Sequence, residues 1–304
     1  MFSVIIPLFN KEKYIGEALQ GVLSQDFQDF EVIVVNDGST DGSLQVAETF
    51  TDNRIKIFTQ ANSGVSHARN TGAAKAARPW AAFLDADDWW GPSFLSEMRA
   101  AILKFPERSI FATGRSRSFK NRTERYTNRY LPDGGRTAQL NYFEVVQNAL
   151  PPMHVSSTVI ERSLLEKEKF NERLTQYEDH ELWLRLSILH PVVFVNKPLS
   201  FYRKDIAGTA TKRGLTAKNF NEYLSSLLKL KGAIKGNDKT CFQKYANRFS
   251  VLVYLKFQRS FTKVEREDVS IKIKQLVTGP LRLLFWGARV FPIDFYAIAK
   301  KMKK

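Results

Sequence analysis

Short apolar runs alternate with helical patterns over the first 84 residues of this chain. The apolar runs cover residues 3–7, 30–35, 54–58 and 80–84, and between them lie segments with helical spacing or an alanine-rich composition. An order of strand, helix, strand is typical of a parallel sheet with right-handed crossovers. The sequence therefore predicts an α/β fold with a mainly parallel central sheet flanked by helices.

Polar residues follow three of these predicted strands. Phe9 and Asn10 come after the first strand, Asp37 after the second, and Asp85 and Asp87 after the fourth. Parallel sheets bind ligands at the carboxyl ends of their strands. We therefore expect side chains that are far apart in the sequence to gather at one edge of the sheet.

The turn after the fourth strand holds the carboxylates Asp85, Asp87 and Asp88 within four positions. Crowded carboxylates repel one another unless a cation shares them, and their hard oxygens suit Mg²⁺ or Mn²⁺. A divalent ion held there could bind a diphosphate. Alternatively, Asp87 and Asp88 only cap the helix that is predicted over residues 92–105.

Two common phosphate-binding motifs do not occur in the sequence. The chain contains no Gly-x-x-x-x-Gly-Lys-Ser/Thr, and the loop after the first strand has no glycine. A bound diphosphate would therefore have to rely on a metal ion rather than on a glycine-lined helix end.

The formal net charge of +15 predicts anionic partners, such as nucleic acid, a membrane surface or phosphorylated substrates. A basic run covers residues 115–136, directly after a predicted strand at 110–114. It is either the solvated face of a hairpin or a surface that meets an anionic acceptor, and the sequence leaves both interpretations open.

A second acidic site is formed by Glu178 and Asp179. The apolar residues that follow them predict an amphipathic helix, with the acidic pair at its N-terminus and an apolar face of Leu182, Trp183, Leu186 and Leu189. The helix dipole favours the ionised carboxylate there, which could take a proton from a hydroxyl. Simple capping of the helix is the alternative, and His180 is interpreted as a surface histidine.

Five motifs in this order resemble the family 2 glycosyltransferases, which are inverting enzymes of the GT-A fold that use nucleotide-activated sugars. The resemblance covers about residues 1–205. The matching segments are Ser-Val-Ile-Ile-Pro-Leu-Phe-Asn at 3–10, Val-Val-Asn-Asp-Gly-Ser-Thr-Asp at 34–41, Asn-Ser-Gly at 62–64 with Ala-Arg-Asn at 68–70, Phe-Leu-Asp-Ala-Asp-Asp at 83–88, and Glu-Asp at 178–179.

The resemblance implies how a donor would be bound. Asp37 would accept a hydrogen bond from the pyrimidine ring of UDP, Arg69 would support the base and ribose, and Asp85 would contact the ribose. Asp87 would ligate the Mn²⁺ or Mg²⁺ that bridges the diphosphate. The complete implied nucleotide-binding set is Pro7, Phe9, Glu12, Asp37, Arg69 and Asp85.

The resemblance also implies the reaction. Asp179 would be the general base and Glu178 would help to orient a saccharide or lipid-linked acceptor. Processive synthases of the family carry Gln-x-x-Arg-Trp and membrane helices, whereas Glu-Leu-Trp-Leu-Arg stands here at residues 181–185. We therefore expect addition of one hexosyl or N-acetylhexosaminyl unit, in the synthesis of a cell-surface polysaccharide or glycolipid.

The resemblance fades after residue 214, where helical patterns continue. We expect a catalytic domain over 1–214, divided into a nucleotide-sugar half (1–110) and an acceptor half (111–214), and a C-terminal helical region over 215–304. The residues from 279 on combine large apolar and basic side chains, so this tail either docks on the protein or lies on an anionic membrane face.

The remaining features favour a cytosolic protein. The N-terminus does not resemble a signal peptide, no membrane-spanning segment is found, and the one cysteine, Cys241, is interpreted as a core residue. Two alternatives compete with sugar transfer: a nucleotidyltransferase, which generally needs a glycine-rich basic first loop, and a nucleic-acid-binding protein, for which no reading motif is present.

Overall fold

The structure, a computed structural model, describes residues 1–204 and 214–290. The described chain divides into two compact units. The first is formed by Met1–Tyr142 with residues 151–204, and the second by Phe143–Leu150 with the helices that follow residue 214. The predicted functional division at residue 214 stays a prediction, and nothing in the sequence indicates that residues 143–150 pack with the later helices.

The first four strands of the first unit are parallel and lie in the order β3-β2-β1-β4, as the alternating pattern predicts. Helices connect them. The elements are β1 (Phe2–Leu8), α1 (Ile15–Leu23), β2 (Phe30–Asp37), α2 (Ser43–Glu48), β3 (Ile55–Gln60), α3 (Val65–Lys75) and β4 (Trp80–Phe83).

The rest of the sheet is mixed rather than parallel. A strand that the sequence analysis did not predict lies antiparallel between the fourth strand and the strand that begins at Ile110. The elements are β5 (Trp89–Trp90), α4 (Phe94–Lys104), β6 (Ile110–Phe119), β7 (Arg122–Arg125), β8 (Thr137–Leu140), α5 (Tyr142–Val146), β9 (Thr158–Glu161), α6 (Arg162–Lys167), α7 (Glu178–Leu186) and β10 (Val192–Arg203). The sheet continues in the order β4-β9-β6-β10-β5.

Strand alternation divides the core of the first unit into two layers. Val32 and Val34 of β2 pack with α1, α2 and α4, whereas Ile33 and Val35 face α3 on the other side. Gly72 lets α3 approach β1 closely, because a Cβ there would lie 2.4 Å from Ile5 Cγ2. Helix α3, which begins next to the carboxyl ends of the strands, is thereby held against the sheet.

Among the described residues after 214, the second unit contains four helices, and Phe242, Tyr245 and Ala246 are buried in one of them. Cys241 is also buried, as expected. Within the described residues, no helix is both long enough and apolar enough to cross a membrane. The helices are α8 (Ala217–Ala233), α9 (Gly236–Phe257), α10 (Lys263–Leu276) and α11 (Pro280–Val290). The part of the predicted membrane-binding tail after residue 290 lies outside the described residues.

Candidate active site

Asp37, the last residue of β2, is buried and has its hydrogen bonds supplied by the protein. Its Oδ1 accepts from Gln60 Nε2 at 2.8 Å and from Ser63 N at 2.9 Å, and its Oδ2 accepts from Gly64 N at 2.8 Å. Gly64 precedes α3 with φ 92°, a conformation that favours glycine. Asp37 thus fixes the backbone from which α3 starts.

The loops after β1 and β2 are held together by side chains. The backbone N–H of Glu12 donates to Asp41 Oδ2, and Glu12 Oε2 accepts from Gly42 N, both at 3.2 Å. Glu12 is exposed and Phe9 is half-buried, whereas Pro7 lies buried inside β1. Phe9 and Glu12 are therefore placed on the accessible loop, and Pro7 lies beneath it.

Arg69 of α3 joins two acidic segments that are far apart in the sequence. Its Nη2 lies 2.8 Å from Asp85 Oδ1 and its Nη1 lies 2.8 Å from Glu178 Oε1. Arg69 is only 3% exposed, and its guanidinium also lies over the ring of Phe170. One buried cation thus draws the aspartate turn and the acidic start of α7 into a single site.

Asp87 points to the other side of the same turn. Its Oδ2 lies 2.6 Å from Lys11 Nζ, in the loop after β1. Burial raises the pKa of Asp87, and the carboxylate of Asp85 raises it further, while Lys11 opposes both effects. The capping alternative is not what the structure shows, because α4 begins at Phe94 and Ser93 is its N-cap residue.

Asp88 is the most enclosed carboxylate of the turn. Its Oδ2 accepts from Ser156 Oγ at 2.6 Å, and its Oδ1 accepts from the backbone N–H of Arg203 at 3.2 Å. Burial raises the pKa of Asp88 well above its ordinary value, and the charges of Asp87 and Asp85 add to this effect. The negative charge of Asp88 is therefore poorly compensated by the protein.

An imidazole completes a set of candidate metal ligands. His154 Nδ1 lies 3.7 Å from Asp88 Oδ2, and one ligand atom from each of Asp85, Asp88 and His154 lies within 4.8 Å of the others. Burial lowers the pKa of His154 to about 4, with a further contribution from Arg115, so the ring is neutral at pH 7. Its Nδ1 is buried and has no hydrogen-bond partner in the described part of the chain.

These residues fit a divalent cation. Asp88, whose charge is poorly compensated, Asp85, which shares Arg69 with Glu178, and the neutral ring of His154 offer two carboxylates and one nitrogen, a ligand set that Mn²⁺ accepts readily. The set lies in the acidic turn where the sequence predicts a metal site, but it consists of Asp85, Asp88 and His154 rather than the predicted ligand Asp87. The predicted role of Asp87 as a metal ligand stays a prediction.

The acidic pair begins α7, as the sequence predicts. Tyr177 precedes it with φ 64°, a left-handed conformation that is uncommon for a residue with a side chain. Asp179 Oδ1 accepts from His180 N at 2.8 Å. Burial alone would raise the pKa of Asp179, but the neighbouring His180, His154 and Arg69 outweigh it and lower the pKa. Asp179 is therefore a carboxylate at neutral pH.

Glu178 behaves differently from its neighbour. Burial raises the pKa of Glu178, and Arg69 opposes this increase through the ion pair described above. The two carboxylates are thus distinguished by their partners: Glu178 is held by a buried arginine, whereas the nearest donor to Asp179 is a backbone N–H at the helix N-terminus.

Two expectations from the sequence are wrong in this region. His180 is not a surface histidine, because its Nδ1 is buried and burial lowers its pKa. Leu189 is not on the apolar face of the helix, because α7 ends at Leu186 and Leu189 is 79% exposed. Arg115 begins the basic run for which the sequence leaves two interpretations open, and it is buried and donates from Nη2 to Pro151 O at 3.1 Å.

The structure joins four of the nine predicted site residues through a continuous set of contacts. Asp37 fixes the start of α3, α3 carries Arg69, and Arg69 contacts Asp85 and Glu178. Sequence reasoning missed His154 and Lys11. The segment around His154 has no motif to indicate it, and Lys11 could have been found only as a basic residue in a loop next to an acidic turn.

The comparisons with known proteins show the family and the fold of this chain. The profile of "Glycosyl transferase family 2" matches residues 3–169, more than half of the chain. The chain is 28% identical over 211 residues to the glycosyltransferase GlyA of Streptococcus pneumoniae, which covers 66% of this chain and 30% of that protein. The chain spans about a third of the length of the first curated relatives that it matches.

Two solved structures show the fold. TarS residues 1–349 from S. aureus, solved with UDP-GlcNAc, superpose with a TM-score of 0.72 at 21% identity, over 99% of this chain and 90% of that one. The mannosyltransferase PcManGT from Pyrobaculum calidifontis, solved with GDP-Man and Mn²⁺, superposes with a TM-score of 0.57 at 19% identity. The match covers 99% of this chain and 83% of that one. The expected GT-A fold with helices after the catalytic sheet is confirmed, and the family match shows that this chain belongs to glycosyl transferase family 2.

Proposed function

We propose that this protein transfers one sugar from a UDP-sugar to an acceptor hydroxyl with inversion at the anomeric carbon. The observation that carries the proposal is the double contact of Arg69 with Asp85 and Glu178, at 2.8 Å each. It joins a segment suited to a nucleotide diphosphate with a segment suited to proton abstraction. Family membership favours this reaction over nucleotidyl transfer and over nucleic-acid binding.

The donor is assigned to residues 1–110. Phe9 and Glu12 line the nucleotide pocket above Pro7. The Asp37 carboxylate already accepts three hydrogen bonds, and its remaining lone pair accepts one from the pyrimidine ring. Arg69 supports the base and ribose, and Asp85 contacts the ribose. The complex of TarS with UDP-GlcNAc supports a UDP-linked donor, and a hexosyl or N-acetylhexosaminyl unit fits this class.

Mn²⁺ or Mg²⁺ is the proposed cofactor. Asp85, Asp88 and His154 would hold it, with Asp87 as the further ligand that the family resemblance implies. When bound, such an ion neutralises the charge that develops on the departing diphosphate. The Mn²⁺ complex of PcManGT supports this choice of ion.

Asp179 is the proposed general base, with the acceptor assigned to residues 111–214. Its lowered pKa keeps it ionised at neutral pH. Asp179 takes the proton from the acceptor hydroxyl, the hydroxyl oxygen forms a bond to the anomeric carbon, and the bond from that carbon to the diphosphate oxygen breaks. The diphosphate leaves with the bonding electron pair. A single displacement of this kind inverts the configuration.

Glu178 is proposed to orient the acceptor. Its carboxylate is fixed by Arg69, so that it can accept a hydrogen bond from a second acceptor hydroxyl without leaving its place. Such positioning lowers the entropic cost of bringing two substrates together.

The acceptor is proposed to be a saccharide or a lipid-linked intermediate of a cell-surface polysaccharide or glycolipid, with the protein on the cytoplasmic face of the membrane. The proposal depends on the basic and apolar tail from residue 279. Deleting residues 279–304 should reduce cosedimentation with anionic liposomes, since each basic group near such a surface adds about 1 kcal/mol. Unchanged cosedimentation would exclude a membrane role for the tail.

The proposed function is tested with Asp179→Asn. A thermal-shift screen of nucleotide-sugars with Mn²⁺ first identifies the donor, and sugar transfer is then measured with that donor. We expect Asp179→Asn to bind the donor as the wild type does but to lose transfer by about 10² to 10⁴-fold, because the amide cannot take a proton. Asp133→Asn, which removes an exposed carboxylate, is the control. Full turnover by Asp179→Asn would refute the assignment.

A further inference from the structure

Three cationic side chains lie together beside the acidic start of α7. Arg115 and Arg117 are two positions apart on β6 and therefore project from the same face of the sheet. Tyr202 of β10 is the register partner of Arg117, and Lys204 Nζ lies 4.3 Å from the centre of the Tyr202 ring. We refer to Arg115, Arg117 and Lys204 as the basic cluster.

In the described part of the chain, the positive charges of the basic cluster are not paired with carboxylates. Over residues 1–204 and 214–290, Arg117 and Lys204 form no ion pair with a carboxylate. Arg115 is only 7% exposed, and its Nε is buried without a hydrogen-bond partner in the same residues. A buried guanidinium N–H that lacks a partner is costly, so an acceptor atom supplied by a ligand would relieve that cost.

The cations on the donor side of the site differ in this respect. Lys11 pairs with Asp87, Arg69 pairs with Asp85 and Glu178, and Arg203 pairs with Glu17. The positive charge that lacks carboxylate partners among the described residues is therefore concentrated on one side of the aspartate turn after β4. This side is the edge formed by β6 and the end of β10.

The three cations of the basic cluster lie close enough to repel one another. Burial lowers the pKa of Lys204, and the charges of Arg117 and Arg115 lower it further. Like charges that crowd together in this way are stabilised by a bound anion. A guanidinium fits two oxygens of a phosphate or carboxylate at once, which makes arginine well suited to such an anion.

The position of the basic cluster indicates which substrate carries that anion. The ring of Tyr202 lies 4.5 Å from that of His154, and the charge of Asp179 is close enough to Arg115 to affect its pKa. The cluster thus adjoins the proposed base. Asp37, which would bind the nucleotide base, follows β2, on the other side of β1 and β4 in the sheet.

We propose that the basic cluster binds an anionic group, a phosphate or a carboxylate, that the acceptor carries near the hydroxyl to be glycosylated. This inference rests on the proposed function and adds the substrate class of its acceptor side. The diphosphate of the donor has the same chemistry, so the test is carried out with UDP already bound.

The test compares charged and neutral sugars on the full chain saturated with UDP and Mn²⁺. Glucose 6-phosphate, glucuronate and glucose are the probes, and their affinities are measured by ligand-observed NMR. We expect the two anions to bind about tenfold more tightly than glucose, which corresponds to one charge-assisted hydrogen bond. Arg117→Gln and Lys204→Gln should each remove most of that preference and leave the affinity for UDP unchanged.

Arg122→Gln is the matched control, because Arg122 is 66% exposed on the same hairpin and pairs with Glu124. It should keep the full preference for anions. Equal binding of glucose and glucose 6-phosphate by the wild type overturns the inference, and so does an equal loss in Arg122→Gln. Weaker UDP binding in Arg117→Gln and Lys204→Gln would assign the cluster to the donor instead. A wild-type protein that binds no UDP would refute the proposed function itself, which is a different result.

Discussion

Asp37 and Asp88 are both buried aspartates that follow strands of the parallel half of the sheet, at 3% and 2% exposure. Asp37 accepts hydrogen bonds from one side-chain amide and two backbone N–H groups. Asp88 accepts from one hydroxyl and one backbone N–H, and the charges of Asp87 and Asp85 act on it.

This difference separates a carboxylate whose charge is compensated by the protein from one whose charge is left for a cation. Donors from the protein compensate the charge of Asp37, and the result is a fixed start for α3. The charge of Asp88 is compensated only in part, which costs stability unless a cation binds. The same residue type at similar places therefore has different roles, and the number of nearby donors determines which role it has.

The largest loss of stability is expected for substitution of Arg69, which links the aspartate turn to the start of α7. Arg69→Met would leave Asp85 and Glu178 without their shared cation, and removing one partner of a buried ion pair costs about 3–5 kcal/mol. Urea unfolding measures this loss. Arg162→Met breaks only an exposed pair with Glu166 and should cost about 0.5 kcal/mol. If both variants lose equally little, Arg69 does not hold the site together.

A smaller loss is expected for Asp37→Asn. The amide cannot accept at both of the positions where Asp37 now meets N–H groups, so one buried donor loses its partner at a cost of about 1–3 kcal/mol. The free energy of unfolding in urea again provides the measurement, with Asp133→Asn as the exposed control. A stability equal to that of the wild type would show that Asp37 is not structural.

Glu31 extends the comparison to a third carboxylate that the protein compensates. Burial would raise its pKa, but hydrogen bonds from Lys56, Ser3 and the N–H of Ala77 lower it below the unfolded value of 4.5. The ionised form therefore stabilises the fold above pH 4.5, and this contribution is lost as the pH falls through the lower folded pKa.

Glu31→Gln should remove this pH dependence. The wild type should lose about 1 kcal/mol more than the variant between pH 6 and pH 3, the size of a typical hydrogen-bond contribution. Thermal unfolding of both proteins over that range is the measurement. Parallel stability curves would mean that Glu31 has the same pKa in the folded and unfolded chains.

The smallest effect is expected for Asp88→Asn in the absence of metal. Neutralising a carboxylate that is crowded by Asp85 and Asp87 removes repulsion and costs one charge-assisted hydrogen bond, so stability should change by less than about 1 kcal/mol. Urea unfolding in EDTA checks this. A loss as large as that of Asp37→Asn would abolish the distinction between the two aspartates.

The sequence predicts the parts of the site that depend on strand order. The places of Asp37, Asp85 and Asp179 follow from apolar runs, turns and a helix start, because parallel strands bring their carboxyl ends to one edge. The early helices and strands begin and end within a few residues of their predicted bounds for the same reason.

The parts that depend on long-range contacts could not be predicted. The antiparallel insertion of β9 between β4 and β6 has no local signal, and the place of His154 depends on it. Arg115 belongs to a run of charged residues, so its burial is not apparent from the sequence. It does lie two residues before Arg117 at the end of an apolar strand, and the alternation of side chains along that strand is the one signal that could have indicated its position. Helix α7 ends before Leu189 because its last turn closes at Leu186, which the apolar spacing alone does not show.

Acidic residues from separate segments are proposed to share one site for a divalent cation and a uridine nucleotide. Calorimetric titration of UDP into the wild type, once with Mn²⁺ and once with EDTA, tests it most directly. We predict that Mn²⁺ strengthens UDP binding by about tenfold or more, which is about 1.4 kcal/mol, and that Asp88→Asn abolishes this gain. Equal affinity for UDP in Mn²⁺ and in EDTA, or no binding in either, would contradict the claim.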